Sequence, residues 1–367
     1  MGKILYKQDI VEILWGATFL GGGGGGSLSF GLDMLEQLVK DDADIQLELV
    51  SVDELEKDDY AAMVAGLGSP INFLSGSFGP DAVYAFKAFQ KAFAAEGKNV
   101  NYIYSGEMGG LNTFVPMLVC ILSDKDPKKR IKFVDVDGNG RAVPELNTSL
   151  NSVRGYPPYP IGLGNALGDM IIAYAVDDKS AETIARQLCM AYDMKIGFST
   201  WGMSRDELKD NAHVDCVSYA QNVGKAILAA KEGGKDILGE LEKVMTIRGL
   251  CTGTIEDIEI KSESGFDYGV TKVKADDGKV YYIDVKNENL IVRDENDQAV
   301  ITVPELICLI DTDDYLPLTN ADTKKGQRIF VGLSPAHPYW WAEDKKAYTC
   351  WEPLLKTVGY TGDYIKF

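Results

Sequence analysis

Residues 131–145, IKFVDVDGNGRAVPE, indicate most clearly how this chain is built. They begin with an apolar, β-branched run, which predicts a strand that delivers Asp135 and Asp137 into a glycine turn. Arg141 and Glu145 follow within the next loop. Proteins of the α/β class commonly place functional side chains where strands end at the carboxyl edge of a sheet. The alternative is an ordinary Asp-Gly turn, because Asp and Asn tolerate left-handed backbone and hydrogen-bond within their own turns.

Strand and helix patterns alternate on the N-terminal side of this stretch. Segment 58–70 predicts a buried strand that runs into a turn, and segment 80–96 predicts a helix. The next strand ends in the glycine-rich turn SGEMGG (105–110), and the strand after it ends in DVDGNGR (135–141). The alternation predicts an N-terminal α/β domain with a mixed, partly parallel sheet. If the two strands are parallel neighbours, both turns lie at one edge of the sheet and share a crevice.

The chain changes character after a segment rich in Pro, Gly and Tyr, residues 151–168. Such a composition predicts a linker or a structured loop between domains. Two helical patterns follow, and strand patterns separated by turn residues dominate from Met245 onward. We therefore predict two domains: an N-terminal α/β domain, residues 1–165, and a C-terminal domain, residues 166–367, with helices followed by a β-rich part.

Composition and charge narrow the classes of function. The formal net charge of −18 at pH 7 argues against nucleic acid or an anionic membrane as the main partner. No N-terminal stretch has the order of basic, apolar and small residues that marks a signal peptide. No apolar run approaches the roughly 20 residues that span a bilayer. The six cysteines are scattered and form no CxxC pair, which favours reduced, buried thiols and predicts a cytoplasmic protein.

A run of six glycines, Gly21 to Gly26, follows a helical pattern near the N-terminus. Glycines let backbone N–H groups close on an anion, so Gly22, Gly23, Gly24 and Gly25 are candidate ligand-binding residues. The run lacks the GK[ST] of a P-loop and follows a helix instead of a strand, which argues against both nucleotide-binding fingerprints. Tight packing against another backbone and a flexible lid are the alternatives.

Polar residues around the other glycine-rich turn complete the candidate site. Glu107, flanked by Gly106 in SGEMGG, can act as a general base if burial raises its pKa; alternatively it hydrogen-bonds to local amides. Gly109 offers a backbone amide, and Asn112 can orient a ligand amide or cap the following helix. His337, in SPAHPYWW, can line a pocket or pack among the aromatic residues beside it.

Metal binding stays open at the level of the sequence. The chain has only two histidines, which excludes a histidine-rich centre. Carboxylates can still hold one divalent ion through Glu107, Asp135, Asp137 or Glu145, and such ligands suit hard ions better than zinc. No spacing among these residues is diagnostic of a metal.

Six motifs in order extend from one end of the chain to the other: FLGGGGGGS, GEMGGLN, DVDGNGRAVPEL, NENLIV, TVPELICLID and VGLSPAHPYWW. Their order and spacing resemble the S-methyl thiohydantoin desulfurase-like family, long catalogued as a domain of unknown function. Its members are often encoded beside hydantoinase or oxoprolinase-type enzymes. The chain departs from the family pattern in two places. Ser27 and Leu28 stand where Asp-Pro is usual, and Asn139 and Val143 replace larger apolar residues, which implies a changed pocket shape.

The resemblance implies an N-terminal α/β domain and a β-rich C-terminal domain of the swivelling type. It also implies a hydrolase that removes a methylthio group from an S-methyl thiohydantoin-like ring, giving a hydantoin and methanethiol. One carboxylate among Glu107, Asp135 and Asp137 would activate water, and Arg141 would hold the charge that develops on the ring. The substrate would be bound by the glycine amides with Asn112, Glu145 and His337.

Two other classes of function remain open. The chain can be a non-catalytic, small-molecule-binding or partner subunit of a hydantoinase system, or it can hydrolyse or isomerise a hydantoin ring amide. The expected partners are a small hydantoin-like molecule and a hydantoinase or oxoprolinase-type protein, with neither nucleic acid nor membrane. A closed homo-oligomer is expected from the general prevalence of such assemblies.

Overall fold

The computed structural model describes residues 2–41, 45–68, 78–192, 194–263 and 266–367. The turn predicted at the end of segment 58–70 lies outside these residues. The described chain forms a mixed sheet with helices on both faces and a separate antiparallel sheet. This architecture confirms the predicted fold class, an α/β domain with a partly parallel sheet followed by a β-rich domain.

The described residues place nine strands in the first sheet: β1 (Lys3–Leu5), β2 (Leu47–Val50), β3 (Asp59–Gly68), β4 (Asn99–Ser105), β5 (Lys132–Asp137), β6 (Ile161–Gly164), β7 (Met170–Ala173), β8 (Lys195–Ser204) and β9 (His213–Val214). The spatial order is β1-β2-β5-β4-β3-β8-β6-β7, and β9 pairs with β5. Strands β2, β5, β4 and β3 are parallel to one another, and the remaining pairings are antiparallel. The glycine-rich turns after β4 and β5 therefore meet at one edge of the sheet.

The described chain contains ten α-helices, and most of them pack against the first sheet. They are α1 (Lys7–Leu20), α2 (Leu28–Asp41), α3 (Gly79–Ala95), α4 (Phe114–Ser123), α5 (Leu150–Val153), α6 (Asp178–Ala191), α7 (Arg205–Asn211), α8 (Cys216–Gly233), α9 (Ile237–Leu241) and α10 (Glu352–Thr357). Alternate residues of β5 enter opposite cores, Phe133 on one face and Val134 with Val136 on the other. A strand buried on both faces reads as a continuous apolar run, which explains the sequence pattern that predicted it.

Helix α1 is held in place by a close approach to α8. A Cβ atom on Gly16 would overlap the carbonyl of Ala220, and a Cβ on Gly224 would overlap the carbonyl of Glu12. Only glycine allows the two helix backbones to come this near. The end of α1, where the six-glycine run begins, is thereby fixed against the body of the first domain.

The second sheet consists, in the described chain, of β10 (Arg248–Glu263), β11 (Phe266–Ala275), β12 (Val280–Lys286), β13 (Glu288–Asp294), β14 (Ala299–Thr302), β15 (Leu306–Asp311), β16 (Pro317–Leu318) and β17 (Arg328–Ser334). Its order is β14-β13-β12-β11-β10-β17-β15-β16, and every pairing is antiparallel. Alternating inward side chains such as Val273, Ile283 and Val331 form its core.

The first sheet contains strands that precede the Pro- and Gly-rich segment, residues 151–168, and strands that follow it. Strand β7 pairs with β6, and β8 pairs with both β6 and β3, so residues beyond 166 complete the N-terminal sheet. The second sheet begins only at Arg248. The division at residues 165 and 166 stays a prediction. No described helix is both long and apolar enough to cross a lipid bilayer.

Candidate functional site

The glycine loop, residues 21–26, joins α1 to α2 and contacts the second sheet along one side. The carbonyl of Gly22 accepts a hydrogen bond from the backbone N–H of Asn289 (2.9 Å). The carbonyl of Gly23 accepts one from the backbone N–H of Asn320 (2.8 Å). Gly22 and Gly23 adopt φ of +60° and +96°, a left-handed backbone that favours glycine. The loop is therefore docked on the C-terminal domain by its own backbone.

The other side of the loop contacts the turn after β4. The Gly25 carbonyl accepts hydrogen bonds from the backbone N–H groups of Leu111 (3.2 Å) and Asn112 (3.1 Å). A Cβ on Gly25 would overlap the Met108 carbonyl, and a Cβ on Gly24 would overlap the Glu288 carboxyl. Tight packing, one of the alternatives raised by the sequence, thus accounts for part of the glycine run.

Three backbone N–H groups of the loop have no acceptor among the described residues. The N–H groups of Gly22 and Gly24 donate to the Phe19 and Gly21 carbonyls, at 3.3 Å and 3.4 Å. The three without an acceptor are those of Gly23, Gly25 and Gly26. Backbone donors freed in this way can bind an oxygen atom of a ligand.

Glu107 lies in the turn after β4, partly buried, with each carboxylate oxygen held by one donor. Oε1 accepts from the Asn112 side-chain amide, and Oε2 accepts from the Val143 backbone N–H at 2.8 Å. Burial raises the pKa of Glu107 to about 7, although both hydrogen bonds act to lower it. A carboxyl group that is fixed in orientation and half ionised at neutral pH is suited to act as a general base.

Asp137, at the end of β5, builds the turn that follows it. Its Oδ1 accepts hydrogen bonds from the amides of Asn139 (2.9 Å) and Gly140 (2.6 Å), as in an ordinary Asp-Gly turn. Its Oδ2 accepts none from the part of the chain described here, and its side chain is fully buried. Burial raises the pKa of Asp137 to about 7. The Ser105 hydroxyl is near enough to lower that pKa, but donates to the Glu107 carbonyl at 3.0 Å.

Arg141 is buried, and one of its three guanidinium nitrogens, Nη2, is unpaired within the described residues. Its Nη1 donates to the carbonyls of Pro304 (2.6 Å) and Glu305 (3.1 Å), and its guanidinium stacks over the Trp351 ring at 4.6 Å. Its Nη2 has no partner in the described structure, and a Cβ on Gly22 would lie 3.5 Å from it. Burial lowers the pKa of Arg141 to about 10, so the group stays charged at neutral pH. A positive charge is thus directed at the glycine loop.

Three polar residues that the sequence analysis did not select reach the loop from the second domain. Glu288 and Asn289 begin β13, and Asn320 follows β16; all three are buried. Glu288 Oε2, Asn289 Oδ1 and Asn320 Oδ1 lack hydrogen-bond partners among the described residues. In the sequence, the polar run NEN (287–289) after a strongly β segment could have indicated a functional role for Glu288 and Asn289. A tight turn is the simpler interpretation of that run.

Glu288 interacts electrostatically with the charged groups of the first domain. Burial raises its pKa well above the ordinary value, the charge of Glu107 raises it further, and the charge of Arg141 opposes the shift. The raised pKa favours the protonated form of Glu288. Two carboxyl groups with different protonation states are the arrangement that acid–base catalysis requires.

Asp135 forms its hydrogen bonds away from the polar residues around the glycine loop. Its Oδ1 accepts from the Ser218 amide at 2.9 Å and its Oδ2 accepts from the Ser218 hydroxyl, in the first turn of α8. Carboxylates stabilise helix N-termini in this way. Asp135 holds α8 on the sheet instead of facing the glycine loop.

Glu145 is also engaged elsewhere. Its Oε1 forms an ion pair with the ammonium group of Lys286, a buried residue at the end of β12. The ammonium group also lies 4.5 Å from the centre of the Phe266 ring. This pair connects the loop after β5 to the second sheet.

His337 packs against the other histidine of the chain, His213, with ring centres 3.7 Å apart. Its Nδ1 accepts from the Tyr339 amide at 3.3 Å, and burial lowers its pKa to about 4. A Cβ on Gly140 would lie 2.6 Å from His213 Nδ1, which places the pair beside the DVDGNGR turn. These contacts correspond to the packing alternative for His337.

The carboxylates considered for a metal do not form one cluster. Asp135 is bound by Ser218, and Glu145 is paired with Lys286. Within the described ranges, no group of three or more His, Cys, Asp or Glu side chains is arranged to hold a metal ion.

Comparisons with known proteins agree with this architecture. A family model described as "S-Me-THD-like, N-terminal domain" matches residues 8–175, and one described as "S-Me-THD-like, C-terminal domain" matches residues 176–366. The crystal structure of a protein from Chromobacterium violaceum is similar in fold, with a TM-score of 0.79 and 23% identity over 99% of each chain. No curated protein matches the sequence.

Proposed function

The chain belongs to the S-Me-THD-like family, and on that basis we propose that it hydrolyses an S-methyl thiohydantoin-like ring to a hydantoin and methanethiol. One observation supports this most: a set of buried polar atoms around the glycine loop without partners in the described chain. The atoms are Asn112 Oδ1, Arg141 Nη2, Glu288 Oε2, Asn289 Oδ1 and Asn320 Oδ1. An unpaired buried polar atom costs about 1–3 kcal/mol, so such a set favours a bound polar ligand.

The set suits a small ring that alternates hydrogen-bond donors and acceptors. Arg141 Nη2 and the free amides of Gly23 and Gly25 supply donors for ring oxygens. Asn289 and Asn320 supply acceptors for ring N–H groups. A hydantoin-like edge offers both kinds of group, whereas an apolar ligand would leave all of them unpaired.

The proposed reaction begins with Glu107 as the general base. Ionised Glu107 takes a proton from water while the oxygen attacks the ring carbon that carries the methylthio group. Protonated Glu288 gives its proton to the ring nitrogen, whose double bond to that carbon opens. The product of this step is a neutral tetrahedral carbon bearing a hydroxyl and the methylthio group.

The second step reverses both proton transfers. Glu288 takes the hydroxyl proton as the carbonyl forms, the carbon–sulfur bond breaks, and Glu107 returns its proton to the departing sulfur. Methanethiol and a hydantoin result, and both carboxyl groups regain their starting states. Arg141 stabilises the negative charge that gathers on the ring during attack, as preorganised donors do in other hydrolases.

Thiol release by the purified protein tests this function. We would assay a panel of S-methyl thiohydantoins with the wild type, with Glu107→Gln, and with Glu352→Gln, an exposed glutamate of α10, as the matched control. We expect release by the wild type and the control, and a loss of kcat/KM of about 100-fold or more in Glu107→Gln. Full turnover by Glu107→Gln would remove its role as the base.

Two further results would change the proposal. Absence of thiol release across the panel would contradict a desulfurase, and ligand binding without turnover would then favour a binding subunit. Each assay is repeated with a chelator and with added divalent metal. Loss of turnover on chelation would assign water activation to a metal held by carboxylates in place of a free Glu107.

A further inference from the structure

Asn139, in the DVDGNGR turn, is 2% exposed and makes hydrogen bonds through its side chain and its backbone. Its Nδ2 donates to the carbonyl of Gly106 (2.8 Å), and its Oδ1 accepts from the backbone N–H of Leu150, the first residue of α5 (2.8 Å). Its backbone N–H donates to Asp137 Oδ1 (2.9 Å), and its carbonyl accepts from Trp340 Nε1 (3.1 Å). One residue therefore joins the SGEMGG turn, the DVDGNGR turn, α5 and an aromatic residue of the C-terminal part of the chain.

The bond to Gly106 acts on the segment that carries Glu107. The carbonyl of Gly106 and the N–H of Glu107 belong to one planar peptide unit, so a donor on that carbonyl orients the backbone of Glu107. The backbone N–H of Val143 holds the other end of the residue, Glu107 Oε2, at 2.8 Å. Of these two donors, only Asn139 uses its side chain, so a substitution can remove its bond and leave the backbone donor in place.

The carbonyl of Asn139 connects the same turn to the support of Arg141. Trp340, which donates to that carbonyl, packs against Trp351 with ring centres 5.6 Å apart. The guanidinium of Arg141 stacks on the Trp351 ring. Asn139 is thus bonded to the peptide unit that begins Glu107 and, through the two tryptophans, to the surface on which Arg141 lies.

We propose that Asn139 is a positioning residue that sets Glu107 relative to Arg141, a role that rests on the proposed function. An asparagine side chain suits this place because it donates to one backbone carbonyl and accepts from one backbone N–H without carrying a charge. A leucine of similar size would leave the Gly106 carbonyl and the Leu150 N–H buried without partners. Buried groups of this kind drive local rearrangement, so the two turns would shift against each other.

The Val143 amide proton reports that shift without any assay of activity. A hydrogen bond to an ionised carboxylate is stronger than one to a neutral carboxyl group. In protein with ¹⁵N-labelled valine, the Val143 amide proton should therefore change its chemical shift as Glu107 ionises, with its pKa of about 7. Loss of this signal in Val143→Ile assigns it, and Glu107→Gln should abolish the change with pH. We expect Asn139→Leu to reduce the change by at least half.

Asn211→Ala is the matched control. Asn211 is also a buried asparagine whose Nδ2 donates to a backbone carbonyl, that of Glu207 in α7 (2.7 Å), and the variant should keep the full change in shift. Asn139→Ala, which gives water room to reach both freed groups, replaces the leucine variant if that variant does not fold.

Three results would overturn the proposal. One is an undiminished change in Asn139→Leu, or an equal reduction in Asn211→Ala. Another is a Val143 amide that does not titrate in the wild type. The third is a loss of folding in both Asn139 variants, which would make the residue a requirement for the fold. The charged groups that interact with Glu107 (Asp137, Arg141 and Glu288) are unaltered in the Asn139 and Asn211 variants.

Thiol release gives the second readout. Misplacing a reacting group lowers the rate of the chemical step, whereas the ring-binding atoms of Asn289 and Asn320 stay in place. We therefore expect kcat to fall about tenfold or more in Asn139→Leu while KM changes by less than about twofold. A rise in KM with unchanged kcat would contradict a positioning role. If the wild type released no thiol, the amide titration would still test the geometry, so failure of the positioning and failure of the proposed function are separate results.

Discussion

Glu107 and Glu288 come from different domains, yet the charge of Glu107 raises the pKa of Glu288. A buried carboxyl that senses a neighbouring negative charge retains its proton to higher pH. The proposed reaction accordingly uses Glu107 as the base and Glu288 as the acid. Arg141 limits the repulsion because its charge lowers the pKa of both carboxyl groups.

The rate should follow these protonation states. We expect kcat/KM for thiol release to rise about tenfold per pH unit below pH 7, as Glu107 ionises with its pKa of about 7, and to fall at higher pH as Glu288 loses its proton. A pH–rate profile of the wild type checks this. Glu288→Gln should lose the alkaline limb along with most activity. A flat profile between pH 5 and 7 would be inconsistent with Glu107 as the base.

Stability should change in the opposite direction to activity in Glu107→Gln. The pKa of Glu107 is raised from 4.5 to about 7 in the folded state, so the folded chain binds more protons between these values. The free energy of unfolding therefore falls as pH rises through this window. We expect Glu107→Gln to be more stable than the wild type at pH 8 by about 1–2 kcal/mol, after allowing for partial solvent exposure.

Urea unfolding at pH 5 and pH 8 measures this difference. The glutamine of Glu107→Gln fits the site because the Asn112 amide can rotate and present its unpartnered Oδ1 to the new donor. The difference between variant and wild type should shrink at pH 5, where Glu107 is protonated. An equal gain at both pH values would show that the carboxylate charge is not its cause.

At the scale of elements, the glycine loop is a segment that contacts both domains. It follows α1, whose position is set by close packing against α8, and its carbonyls accept hydrogen bonds from both domains. The glycine run was identified from sequence as a site of close approach. Which segments approach it depends on β13 and β16, which are remote in sequence, so no local pattern could name them.

A methyl group at Gly24 should damage the site without straining the loop. Gly24 does not adopt a left-handed backbone, but its Cβ would overlap Glu288. We expect Gly24→Ala to displace Glu288 and lower kcat/KM by at least tenfold, with a smaller effect on folding. Gly239→Ala, on the surface helix α9, is the control and should retain activity, because alanine favours a helix. Wild-type rates in Gly24→Ala would show that Glu288 can move without cost to the reaction.

At the scale of the whole molecule, the two sheets are joined by polar contacts as well as by the loop. The Glu145–Lys286 ion pair connects the loop after β5 to β12, and the Lys286 side chain is only 5% exposed. Removing one member of a buried pair leaves an uncompensated charge. The pair therefore contributes to holding the domains together.

Glu145→Gln should destabilise the protein by about 3 kcal/mol, because the Lys286 ammonium would stay buried without its carboxylate. The double variant Glu145→Gln with Lys286→Met should recover most of this loss, since it removes the buried charge. Urea unfolding of the two variants checks the expectation, and activity per folded molecule should change little. A large loss of activity in the folded single variant would return Glu145 to the substrate site.

The sequence by itself determined the family and the mixed sheet followed by a β-rich domain, and it predicted that the SGEMGG and DVDGNGR turns meet if their strands are parallel neighbours. Strand periodicity and glycine turns are local properties, and parallel neighbouring strands must end at the same edge. Only the tertiary structure decided that Asp135 binds α8, that Glu145 pairs with Lys286, and that Glu288, Asn289 and Asn320 reach the glycine loop. The partner of a polar side chain depends on how elements that are distant in sequence pack together. The spacing of residues along the chain does not specify that packing.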